Sequence, residues 1–132
     1  MIGVFDSGLG GLSVLAALIE ALPHADFVYF ADSAYMPYGN KSETTIQARV
    51  LTIGAELIQS GCTLLVVACN TATATAVETL RQSHPGIPVV GIEPGIKPAA
   101  QSSITRRIGV LATEATANSA RLNALIKKHA GD

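Results

Sequence analysis

The sequence has no tryptophan, and its three phenylalanines and three tyrosines make up only 5% of 132 residues. Charge is equally sparse: charged residues are 14% of the chain and the formal net charge is −1. There is no basic run and no aromatic platform with basic flanks, so nothing points to a nucleic-acid partner. Five of the nine basic residues lie from Arg106 onward, but they are scattered and read as solvated helix faces. Cysteine occurs twice, at Cys62 and Cys69. Across one strand of about 3.3 Å per residue, that spacing separates the two by roughly 23 Å, too far for a disulfide or a shared metal. No disulfide framework is available, which fits a reducing compartment. No long hydrophobic span is present either. Leu9 to Leu22 is apolar, but it is too short and carries Glu20. Asp6 interrupts the N-terminus with no basic segment before it, so no leader is expected. The expectation is a cytoplasmic protein with no membrane partner.

Apolar residues, at 48%, are abundant enough for one well-buried α/β body. The most informative stretch is Leu64-Leu65-Val66-Val67-Ala68-Cys69-Asn70-Thr71. Its short, wholly apolar run has no polar alternation, as expected for a strand buried on both faces of a parallel sheet. A helical pattern follows from Thr71 to about Ser83. Cys69 therefore falls where a strand ends and a helix begins. Ligands bind at the carboxyl ends of strands in open α/β sheets. A thiol at a helix N-terminus meets unpaired backbone N–H groups and the positive end of the dipole, which favour thiolate. A buried cysteine is otherwise a small apolar residue. Asn70 and Thr71 read as ligand-binding side chains or as plain helix caps.

The rest of the chain repeats strand then helix. Met1 to Phe5 is a strand leading into Asp6-Ser7-Gly8-Leu9-Gly10-Gly11, and Leu12 to Leu22 is a helix closed by Pro23. Glycines Gly8, Gly10 and Gly11 depart from the G-x-G-x-x-G dinucleotide order. Asp32 is the one candidate for a ribose-binding acid, and no Gly-Lys-Ser/Thr supports a Walker loop. Asp26 to Ala31 is a second strand. The loop after it, through Pro37, Tyr38 and Gly39, either presents Tyr38 and backbone N–H groups to a ligand or packs its tyrosines over the core. Ser42 is expected to cap a helix running to Ser60, ended by Gly61. Ile87 to Gly91 reads as a fourth strand. Glu93 then reads as structural, capping the short helix that follows, rather than catalytic. Residues 101–106 look like a boundary. Arg107 to Ala112 reads as a fifth strand, and Thr113 to Thr116 starts one more helix with Leu122, Leu125 and Ile126 on its apolar stripe.

This pattern predicts an α/β fold, a parallel sheet with helices on both faces. Right-handed crossovers bring Asp6, Ser7, Tyr38, Cys69, Asn70 and Thr71 to one crevice. The set offers one thiol, one carboxylate, hydroxyls and an amide. It contains no metal cluster and no cofactor lysine.

At this point the chain resembles the glutamate racemases of the aspartate/glutamate racemase family. The matching segments are Asp6-Ser7-Gly8-Leu9-Gly10-Gly11, Met36-Pro37-Tyr38-Gly39 with Lys41-Ser42, and Ala68-Cys69-Asn70-Thr71-Ala72-Thr73. Gly91-Ile92-Glu93-Pro94 and Gly109-Val110-Leu111-Ala112-Thr113 complete the set in family order. The resemblance implies cofactor-independent interconversion of L- and D-glutamate for peptidoglycan, with Cys69 as one of two catalytic cysteines, the one that takes a proton from the D form. By the same resemblance Asp6 and Ser7 bind the substrate ammonium, Tyr38 and Gly39 hold a carboxylate, and Asn70 and Thr71 contact the α-amino-acid group. Thr113 and Thr116 match threonines that face substrate from a second domain.

The family's later Cys-Thr-His segment does not occur in these 132 residues, and Cys62 lies at the wrong end of its strand to replace it. The resemblance therefore implies an N-terminal α/β domain over residues 1–100 and the incomplete start of a second over 101–132. A fragment is expected, with self-association or a complementing C-terminal half as its partner besides glutamate. The alternative reading is a non-catalytic module binding an acidic amino acid or small anion in the same crevice. A racemase acting on aspartate is disfavoured by Met36-Pro37-Tyr38-Gly39, and a redox role for Cys69 lacks a resolving cysteine nearby.

Overall fold

Four short apolar runs become four strands of one parallel sheet in the computed structural model, which describes residues 1–131. They are β1 (Ile2–Asp6), β2 (Phe27–Ala31), β3 (Leu64–Val67) and β4 (Val89–Gly91), in the order β2-β1-β3-β4. β1 is central, pairing Ile2 with Phe27 on one side and with Leu64 on the other. Its apolar, β-branched content suits a strand flanked by two neighbours.

Helices cover both faces, as expected. One face carries α2 (Glu43–Gln59) and α3 (Asn70–Ser83). Ile46, Val50, Ile53 and Leu57 of α2 recur at helical spacing, and Ala72, Ala76, Val77 and Leu80 of α3 do likewise. With Phe5, Leu65 and Val67 they form the main core. Ser42 caps α2 by accepting the Thr45 N–H at 3.2 Å. Gly61, at φ +95°, supplies the left-handed residue after α2. On the opposite face α1 (Leu12–Ala21) lays Val14, Leu15 and Leu18 over Val4, Val66 and Ala68. This layer is thin: α1 has no fully buried residue, and Leu12, Ile19 and Leu22 are exposed.

The C-terminal part departs from the expectation in two places. Residues 107–113 adopt no strand, because no neighbouring strand pairs with them among the described residues, and Leu111 stands fully in solvent. The expected single helix after Thr113 is two. α5 (Glu114–Ala117) stops, and Ser119 then accepts the Leu122 N–H at 3.1 Å to start α6 (Ala120–His129). These pieces pack on α3 and on α4 (Ile96–Ser102). Residue 132, the last of the expected second domain, lies outside the described residues. Among the described residues no helix is long and apolar enough to cross a membrane.

Leu80 is fully buried between α3, α2 and the sheet, and a Cβ placed on Gly54 would come within 2.5 Å of its Cδ1. Truncation to alanine leaves a cavity at this helix–helix contact. Leu80→Ala is expected to destabilise the fold by about 2–5 kcal/mol in urea unfolding; a loss below ~1 kcal/mol would contradict the assigned core.

Candidate active site

Two backbone hydrogen bonds beyond the regular strands bring the site together. Ala68 N–H donates to Phe5 O at 2.8 Å, and Asp32 N–H donates to Asp6 O at 2.9 Å. The chain ends of β3, β1 and β2 are thereby held side by side. Asp6-Ser7 lies next to Ala68-Cys69, and the loop carrying Tyr38 starts on the far side.

Cys69 is the N-cap of α3. Its backbone is extended, and its Sγ accepts the Ala72 N–H at 3.4 Å. The thiol also lies 3.5 Å from Ser7 Oγ, to which it donates. The residue is only 7% exposed, yet it lines a cavity of about 730 Å³ together with Asp6, Asn70 and Thr71. Cys62 sits before β3, at the opposite end from Cys69, and burial pushes its thiol pKa up. It takes no part in this cavity.

Asp6 is anchored by its own turn. Its Oδ2 accepts N–H groups of Gly8 and Gly11, each at 3.1 Å. Tyr29 OH donates to Gly8 O at 3.0 Å. Gly11 must be glycine for a packing reason: a Cβ there would meet Asp6 Cβ at 2.7 Å and Ala68 Cβ at 2.9 Å. The glycine-rich turn thus serves to bring α1 close to the sheet and to bind a carboxylate already in the chain. The Tyr29 hydroxyl pKa is raised, by burial first and then by the charges of Asp6 and Cys69.

The second wall comes from the C-terminal segment. Ile108 and Val110 line the cavity, and so do Thr113 and Thr116. Thr71 Oγ1 and Thr113 Oγ1 are 2.9 Å apart, and Thr113 donates on to Thr116 Oγ1 at 3.1 Å. Gly39 abuts this chain of hydroxyls, since a Cβ on it would lie 2.8 Å from Thr113 Cγ2.

The structure thus brings Asp6, Ser7, Cys69, Asn70, Thr71 and the Gly39 backbone together. The Tyr38 side chain goes elsewhere. It is 1% exposed within the main core, and its hydroxyl donates to Asp32 Oδ2 at 2.6 Å. Of the two readings of this loop, packing over the core describes the Tyr38 ring. Asp32, the candidate ribose acid, is 3% exposed and engaged by Arg49 through both oxygens, at 2.8 and 3.0 Å. Glu93 does not cap α4: it pairs with Arg121 Nε at 2.6 Å, a charge contact off the hydrogen-bonding direction, while Gly95 stands at the N-cap. Arg49 is the partner that the sequence reading missed. Its signal was a lone cation within the Ile46, Val50, Ile53 stripe of α2. Among the described residues no cluster of His, Cys, Asp or Glu could hold a metal.

The model of the Asp/Glu/Hydantoin racemase family matches residues 2–132. A glutamate racemase of Cupriavidus pinatubonensis is 52% identical over 131 residues, covering 99% of this chain and 48% of that protein. One of Pseudomonas aeruginosa is 49% identical, covering 99% and 49%. Among solved structures, the glutamate racemase of Aquifex pyrophilus superposes with a TM-score of 0.87 at 42% identity, over 96% of this chain and 50% of that one. The Escherichia coli glutamate racemase in complex with L-glutamate and the activator UDP-MurNAc-ala gives a TM-score of 0.87 at 40% identity, over 98% and 48%. The chain spans about half the length of these relatives.

For Asp32, burial opposes ionisation, but the hydrogen bonds from Arg49 and Tyr38 and the Arg49 charge outweigh it and hold the carboxyl below the ordinary range. A depressed folded-state pKa contributes stability above the unfolded value near ~4, and that contribution is lost as pH falls through the folded-state pKa. Asp32→Asn is therefore expected to be less stable than the wild type at pH 7. The gap should narrow below about pH 4 in unfolding titrations, whereas a gap independent of pH would contradict the ion pair.

Proposed function

The chain belongs to the Asp/Glu/hydantoin racemase family, and we propose from this that it is the N-terminal half of a cofactor-independent glutamate racemase, contributing one of its two acid–base sulfurs. The observation that carries the reading is Cys69 Sγ at the start of α3, beside Ser7 and in one cavity with Asp6. The relatives described as glutamate racemases support the choice of substrate.

The Cα–H of an amino acid is a very weak acid, and a racemase without a cofactor must remove it on one face and deliver a proton on the other. Cys69 as thiolate accepts the α-proton of D-glutamate and becomes a thiol; in the reverse direction that thiol returns it. The electron pair left behind delocalises into the α-carboxylate, where fixed donors must meet it. Asn70, Thr71 and the backbone N–H groups near Gly39 are suited to that role. Asp6 and Ser7 are suited to hold the ammonium beside the sulfur. The Tyr38 ring acts by packing, and its residue contributes to the site through the backbone. The opposite face needs a second sulfur, which a complementing C-terminal half would bring. The product serves peptidoglycan synthesis in the cytoplasm.

One base allows one-sided exchange. The 132-residue chain, incubated in D2O with each glutamate enantiomer, is expected to incorporate deuterium at Cα of D-glutamate alone. Cys69→Ala should abolish this incorporation with the fold retained. Exchange that survives Cys69→Ala contradicts the reading. Binding of glutamate with no exchange in the wild type would favour the non-catalytic module instead.

A further inference from the structure

Arg49 lies on α2, outside the cavity that holds Cys69, yet it is tied to that cavity through a continuous set of contacts. Its guanidinium grips Asp32 through Nη2 at 2.8 Å and Nε at 3.0 Å, a two-point match that lysine cannot reproduce. The same guanidinium stacks over Tyr35, with Cζ 4.0 Å from the ring centroid. Asp32 in turn accepts the Tyr38 hydroxyl at 2.6 Å. One cation thus fixes the first residue of the loop, a middle residue and, through Asp32, its buried tyrosine. Gly39 follows directly and has no side chain of its own to hold it. Its place is set by the Tyr38 anchor, by the turn in which Lys41 N–H donates to Tyr38 O at 3.0 Å, and by Thr113. There is no slack at Thr113, since even a methyl group on Gly39 would overlap it.

We infer that Arg49 is a positioning residue: acting through Asp32 and Tyr38, it fixes the Gly39 backbone against Thr113, a wall of the cavity that holds Cys69. The placement of Gly39 stands on the contacts alone. The consequence for ligand binding rests on the proposed reading of the cavity as a glutamate site. Loss of the guanidinium frees Tyr38 from its oriented partner and lets the Gly39 backbone drift. Small misplacements of binding groups carry large costs in recognition.

Amide NMR on the full 132-residue chain separates the two arms. In Arg49→Met the Gly39 and Thr113 amide signals should shift or broaden, while those of Gly3 and Gly54 in the core stay in place. The glutamate Kd should weaken on the order of tenfold in the folded protein, Arg49→Lys should fall between, and Tyr38→Phe should reproduce the Gly39 shift with Arg49 intact. A merely structural Arg49 would lower Tm and leave Kd and the Gly39 signal unchanged, and that result overturns the inference. If Arg49→Met does not fold, Tyr38→Phe and Arg49→Lys decide it by the same signals. If the wild type binds no glutamate, the reading of the cavity fails, while the Gly39 and Thr113 signals still decide whether Arg49 positions the loop.

Discussion

The hydrogen bond from Ala68 N–H to Phe5 O, 2.8 Å long, is the rung on which the site depends. It extends the β1–β3 ladder one step beyond the regular strand and sets Asp6-Ser7 against Cys69. Parallel pairing makes this possible, because both strands then exit on one edge of the sheet and their helices start there together. A sulfur from residue 69 and a hydroxyl from residue 7 meet at 3.5 Å as a result. Neither strand could form it alone.

Electrostatics then fix what the ladder brings close. Asp6 is satisfied by the Gly8 and Gly11 amides, so the first turn holds its own carboxylate in place at the cavity. Asp32 is satisfied by Arg49 and Tyr38. On the far side Arg121 reaches Glu93 and Glu78, and Arg81 pairs with Glu78 and donates to Val89 O, linking α6, α3 and the end of β4. The two pairs made to the exposed Glu78 are worth little energetically. Together these contacts do register the C-terminal helices against the sheet, and with them the Thr113 wall.

Where a segment carries its own signals, the sequence was readable. The apolar run of β3, the cap at Ser42, the stop at Gly61 and the sulfur at a strand exit were all local patterns, and the structure contains each. Two of the failures share a physical cause, a partner distant in sequence. Residues 107–112 have the composition of a strand, but a strand exists only with a neighbour, and among the described residues none is there. Tyr38 lies in a loop with turn chemistry, and nothing local reveals that its hydroxyl finds Asp32 in the core. The break between α5 and α6 was legible in principle, since Asn118-Ser119 is a stop followed by a cap, but the apolar stripe beyond it suggested one helix. The likeness to glutamate racemases identified in the motifs extends along the chain, at 52% identity to one relative; the roles of the individual side chains do not follow from it.

The central claim is that the Cys69 sulfur faces the α-carbon of glutamate. A crystal structure of this chain with D-glutamate bound tests it most directly. The account predicts Cα at roughly 3–3.5 Å from Sγ, the distance for proton transfer between positioned groups, with the ammonium turned toward Asp6 and Ser7. A ligand seated outside the cavity, or with its side-chain carboxylate rather than Cα at the sulfur, would contradict it.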